Sequence, residues 1–196
     1  MTLKMAGNSF IRIITYFILI IIGGGVIYLI FLNFAEKSDG LSRFDHKVTS
    51  TRPQHMEKAV VHLYFADKEN RFLIAEKRVI PHPDDPATFG NIIVQELIKG
   101  PREGLMRTVP EDTVLQAFYL THEGTAFVDI TEAVVENHPG GIKLELITIY
   151  SIVNSLILNI PAIDAVKILI GGREALTLAG HVDLRFPFKA NMLLIR

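Results

Sequence analysis

His181 and Asp183 stand two residues apart, and on a β-strand side chains at i and i+2 project from the same face. A carboxylate beside an imidazole selects its tautomer, so the pair has the chemistry to orient a base or begin a metal site. No serine on a nucleophile-elbow turn accompanies them, and no further ligand cluster is spaced to complete a site. Glu132 and Glu136 are i,i+4 on a short helical stretch. Paired carboxylates of this kind hydrolyse glycosides, although like charges on a solvated turn are the simpler reading. His82, Asp84 and Asp85 crowd a proline-rich loop with donors suited to calcium or zinc, but Asp85 also reads as a helix cap. The remaining histidines, His46, His55, His62, His122 and His138, lack the short paired spacing of a zinc site. Asn154 and Ser155 interrupt an apolar helical stretch, where they either satisfy buried backbone groups or grip a partner strand or helix. The sequence thus names no catalytic residue, no metal ligand set and no cofactor. It leaves His181, Asp183, Asn154 and Ser155 as binding candidates.

The elements that must position these residues follow from periodicity. Lys58 to Ala66 alternates, with Ala59, Val61, Leu63 and Phe65 on one strand face. Asp67 to Asn70 reads as a turn and Arg71 to Ile80 as the return strand, ended by Pro81, Pro83 and Pro86. Asp85-Pro86 supplies an N-cap and a first-turn proline. Phe89, Ile92, Ile93 and Leu97 continue at helical spacing until Gly100-Pro101. Strands are expected over Val114 to Leu120, through Ala126, Val128 and Ile130, over Asp164 to Ile170 and over Gly180 to Phe186, with a long helix over about Ile142 to Asn159. The order is β-β-α-β-β-α-β-β: an α+β fold with an antiparallel-rich sheet of about six strands and two helices on one face. The apolar tail Met192 to Ile195 is expected to add an edge strand to its own sheet, or else to complete a contact between subunits.

Ile13 to Leu32 is a run of 20 residues without charge. As a helix it would be about 30 Å long, the thickness of a bilayer core. Lys4 and Arg12 are the only charges before it, and every acid lies at Glu36 or later. The positive-inside rule then leaves residues 1–12 in the cytoplasm, 13–34 as an uncleaved anchor, 35–57 as a polar linker and 58–196 as a domain outside the cytoplasm. A cleaved signal peptide would have a shorter apolar core and a small-residue cleavage site. The linker ends would sit about 25–30 Å apart as a flexible coil. With no cysteine there is no disulfide, no thiolate metal site and no lipoprotein processing, and a net charge of -1 with interspersed signs gives no nucleic-acid footprint.

Several segments carry a family resemblance in order and spacing. They are Val61-His62-Leu63-Tyr64-Phe65-Ala66-Asp67, Glu96 to Pro101, Val109 to Thr113, Ala126 to Ile130, Tyr150 to Leu156, Val166 to Gly172 and Gly180 to Leu184. Together, over about residues 58–188, they resemble the GerMN domain of sporulation and spore germination proteins. The resemblance marks Tyr64, Gly100, Pro101, Pro110, Gly124, Asp129, Gly141, Glu145, Gly172 and Gly180 as architectural positions. Ile142-Lys143-Leu144 stand where the family tends to place small polar residues ahead of Glu145, which opens the cap geometry there to question. The resemblance implies an anchored domain outside the cytoplasm, without established catalysis, similar to the ring-building folds of secretion systems. Its expected partners are the cytoplasmic (inner) membrane, an envelope protein or a second copy, and cell-wall glycan. The competing expectation is a cell-wall hydrolase, or a regulator of one, using His181 and Asp183.

Overall fold

The computed structural model describes residues 57–196. The expected tail, anchor and linker up to residue 56 lie outside the described residues, among which no helix is long and apolar enough to cross a membrane. Among the described residues five strands form two sheets. β1 (Lys58–Ala66) pairs antiparallel with β2 (Leu73–Pro81) in a two-stranded sheet. The second sheet has the order β3 (Leu115–Leu120), β4 (Thr125–Ile130), β5 (Ala165–Ile170), antiparallel between β3 and β4 and parallel between β4 and β5. The helices are α1 (Pro86–Ile98), the single turn α2 (Ala133–Glu136) and α3 (Ile142–Ile157).

The class is α+β as expected, but the strand count is five rather than six, and one sheet has become two. Gly180 to Phe186 is not a strand. It contributes only an isolated bridge between Thr177 and Asp183, because the turn around it is tied down on a buried carboxylate described below. The helices are shared between the sheets instead of lying on one: α1 packs on β3 and the β1–β2 hairpin, and α3 on β1 and β5.

An isolated two-stranded sheet is marginal in water, so β1–β2 needs cover on its face and its edge. The inner face supplies Val61, Leu63, Phe65 and Ile80 to a core completed by Phe89, Ile93 and Leu97 of α1 and by Ile149, Ile152, Val153 and Leu156 of α3. The free edge of β1 is paired by side chains of α3. Asn159, just past the end of α3, accepts from the His62 N–H at 2.9 Å and donates back to the His62 carbonyl at 2.8 Å. Ser155 accepts from the Tyr64 N–H at 3.0 Å, and Ser151 donates to the Tyr64 carbonyl at 2.7 Å. Ala66 exchanges two backbone bonds with Met106. The spacing explains the fit. Residues four apart on a helix advance about 6 Å, close to the roughly 6.6 Å between alternate strand residues. A serine–serine–asparagine stripe therefore stands where a third strand would.

α1 begins as its sequence dictates, with the Asp85 carboxylate accepting from the Thr88 N–H at 2.8 Å and Pro86 at the first position. Its other end is held by Arg78 of β2. This buried guanidinium donates to the carbonyls of Glu96 and Gly100 and pairs with Glu76 at 2.6 Å and Glu96 at 3.3 Å. Gly100, at φ +88°, turns the chain where any Cβ would run into the Arg107 guanidinium. α3 starts without a side-chain cap: Gly141, at φ +87°, takes the N-cap position.

Candidate functional site

Glu145, in the first turns of α3, organises the region that holds His181 and Asp183. Its side chain is fully buried. One carboxylate oxygen accepts from the Leu178 and Ala179 N–H groups, each at 2.9 Å, and the other from the His181 N–H at 3.0 Å. Burial alone would raise its pKa. The backbone donors around it, that of Ala179 foremost, together outweigh burial and hold Glu145 below the ordinary glutamate value. The loop wraps around the carboxylate so closely that it cannot lie flat as a strand.

His181 Nδ1 sits 3.2 Å from the same carboxylate. Asp183 turns away and grips Arg185, with Nε at 3.0 Å, Nη2 at 2.8 Å and the backbone N–H at 2.9 Å. The Arg185 side-chain bond leads the causes that lower the exposed Asp183 to about 2. Both residues line an open groove of about 270 Å³ with Leu176, Thr177 and Arg185, yet each is bonded to a different partner. The i,i+2 geometry that would have joined them required a strand.

Asn154 and Ser155 are fully buried. Ser155 serves the β1 edge. Asn154 makes a two-way contact with the backbone of Asn191, donating to its carbonyl at 3.0 Å and accepting from its N–H at 2.9 Å. This holds the C-terminal tail, a 3₁₀ turn over Met192–Leu194 followed by a single parallel bridge from Ile195 to Leu73. The tail therefore docks on its own sheet, through one bridge and apolar contacts with Tyr64, Leu73 and Ile147 rather than as a full strand.

Glu132 and Glu136 both border an open depression of about 420 Å³, where Glu132 pairs with Arg173 at 3.1 Å. His82 packs edge-on against Phe89, with ring centroids 4.5 Å apart. Among the described residues no group of three or more His, Cys, Asp or Glu is arranged to hold a metal ion. Of the remaining architectural positions, Asp129 accepts from the Gly172 N–H at 2.9 Å, and Gly124, at φ +78°, closes the β3–β4 turn against Asp164. Pro101 and Pro110 lie in the loop between α1 and β3, next to residues that bind Glu76 and close a small cleft.

The sequence reading missed two sites. One is the Glu76–Arg78–Glu96 cluster; the signal was two charges at i,i+2 on the inward face of a strand. The other is the cleft around His138, which lacks a histidine or cysteine pattern to mark it. There Nδ1 accepts from the Gly140 N–H at 3.0 Å, so the ring proton lies on Nε2, 3.2 Å from Thr148 Oγ1. Thr148 donates in turn to the Thr108 carbonyl at 2.6 Å. Burial holds the His138 pKa below the ordinary histidine value.

The family model described as sporulation and spore germination, Germane, matches residues 62–176. No curated protein matches the chain significantly. Among solved structures, a Clostridium perfringens protein assigned as a lipoprotein is 23% identical with a TM-score of 0.50, over 69% of this chain and 89% of that one. The first GerMN domain of the Bacillus subtilis sporulation protein GerM is 20% identical with a TM-score of 0.51, over 68% of this chain and 98% of that one. The tandem GerMN domains of the same protein give 18% identity and a TM-score of 0.52, over 68% of this chain and 46% of that one. At these identities the structures speak to the fold alone, and the fold they share is the one built above. With more than half of its residues matched by the family model, this chain belongs to the sporulation and spore germination (Germane) family.

Proposed function

We propose that the chain is a binding and scaffolding module of the cell envelope, tethered to the cytoplasmic membrane by residues 13–34 and working outside the cytoplasm without turnover. The observation that carries this reading is the fate of the candidate acid–base groups. His181 and Asp183 are split between Glu145 and Arg185, and Glu145 is saturated by backbone donors. These groups hold a loop in place; they do not converge on a point where a reacting atom would sit. Family membership fits the same reading. The hydrolase alternative needs two carboxylates flanking a bond, and Glu132 is already engaged by Arg173.

The test is crosslinking in intact cells followed by affinity capture, comparing the full chain with a version lacking residues 58–196. The expected result is a protein or glycan partner recovered only when the domain is present. An identical set of captured molecules from both would overturn the scaffold reading.

A further inference from the structure

The cleft around His138 lies among the β1–β2 turn, the α1–β3 loop, the residues before α3 and the first turns of α3, and has a volume of about 190 Å³. That is below the roughly 300–1,000 Å³ of sites for drug-sized ligands, so it suits one small ring or group. Its floor is aliphatic, made by Val109, Leu144 and Ile147. Its wall is neutral and polar, with Asn70, Asn137 and His138 at the rim and the buried Thr148 behind them. Arg107 is the one fully charged residue in the lining among the described residues, and its guanidinium is oriented by the Ile98 and Lys99 carbonyls at 2.6 and 3.0 Å.

The hydrogen-bonding capacity left over is carboxamide-like. Asn137 Nδ2 donates to Asp112 at 3.2 Å, which leaves Oδ1 as an acceptor. Asn70 makes no side-chain hydrogen bond among the described residues and sits at φ +50°, an unusual conformation that sets it at the tip of its turn. A ligand matched to this cleft has an amide to meet the two carboxamides and a methyl or ring face for the floor. We infer that the cleft binds an N-acetylated sugar unit of an extracytoplasmic glycan, an assignment that rests on the envelope reading above.

Saturation-transfer NMR on the full chain in detergent micelles tests this, with an N-acetylglucosamine tetramer as the probe and cellotetraose as its non-acetylated counterpart. Transfer is expected to the acetyl methyls of the first and to be at least fivefold weaker for the second. Asn70→Gly removes the carboxamide while keeping a residue that adopts positive φ freely. It should weaken binding at least fivefold with the thermal midpoint unchanged, and Asn137→Ala should act in the same direction. No transfer at millimolar probe, equal transfer from both sugars, full retention in Asn70→Gly, or competition by an aliphatic peptide but not by the sugar would each overturn the inference. A negative result leaves the crosslinking test of the scaffold reading intact, since that test captures protein partners through any surface.

Discussion

Glu145 shows how a single residue converts a sequence pattern into a different structure. It is buried, charged and matched by three backbone donors, so truncation leaves those N–H groups unpaired in the interior. Glu145→Ala is expected to destabilise the domain by about 3 kcal/mol or more, from the loss of charge-assisted bonds and the desolvation of the orphaned donors. Urea denaturation measures this, and a loss under about 1 kcal/mol would mean that the loop closes without the carboxylate. The pH dependence has a definite sign. Glu145 has a folded pKa below its unfolded value, so its stabilisation is complete above the ordinary glutamate value of 4.5 and is lost as pH falls through the folded value. His138 is depressed below 6.5 by burial; the unfolded chain takes up that proton first and acidification again favours unfolding. The urea midpoint should therefore fall from pH 7 to pH 4 and fall further below it, with the lower limb flattened in Glu145→Gln. A midpoint that rises on acidification would contradict both assignments. The family resemblance marked Glu145 as architectural, but nothing in the sequence said which amides it would bind, because Leu178 and His181 are more than thirty positions away.

At the scale of elements, the α3 stripe is the decisive device. Asn159→Leu removes both bonds to His62 and leaves that residue's N–H and carbonyl without partners at the strand edge, an expected loss of about 2 kcal/mol. Hydrogen exchange at the His62 and Tyr64 amides should accelerate in Asn159→Leu and Ser155→Ala while the amides of β4 keep their protection. Uniform acceleration across both sheets would show that the stripe acts only through global stability. The α1 start was plain in the sequence, and Asp85→Ala should lower the urea midpoint, as N-cap losses do. The α1 end was legible only as Gly100-Pro101; its capture by Arg78 was not, since that guanidinium arrives from a different element. Arg78→Ala leaves Glu76 buried without its cation and should be more damaging than the cap loss, by about 3–5 kcal/mol in all.

For the molecule as a whole, one proposal and one structural feature make a joint prediction. The described core draws on strands and helices from β1 onward, so a fragment beginning at Glu57 should fold cooperatively with a sharp thermal transition. If the tether is the functional constraint, that fragment, exported without residues 1–56, should fail to complement a deletion of the gene. Full complementation would remove the tether from the function. A fragment that does not fold would show instead that residues outside the described set complete the core.

Local pattern was enough for every element whose stability is set by its own residues. The β1 and β2 alternation, the Asp85-Pro86 helix start, the α3 apolar repeat and the helical turn at Glu132 to Glu136 all appear close to where their periodicity puts them. The family followed from the series of such segments in order. Tertiary structure decided the rest, wherever a distant side chain outbid the local preference. Gly180 to Phe186 alternates like a strand, yet Glu145 draws its amides into a turn, because satisfying a buried carboxylate outweighs the few ladder bonds that an edge strand would gain. The expected single sheet is two because serine side chains of α3 and the asparagine just past its end occupy the β1 edge. His181 and Asp183, two apart in sequence, ended on different partners for the same reason: which groups meet is fixed by the packing of elements far apart in the chain, and that packing has no local signature.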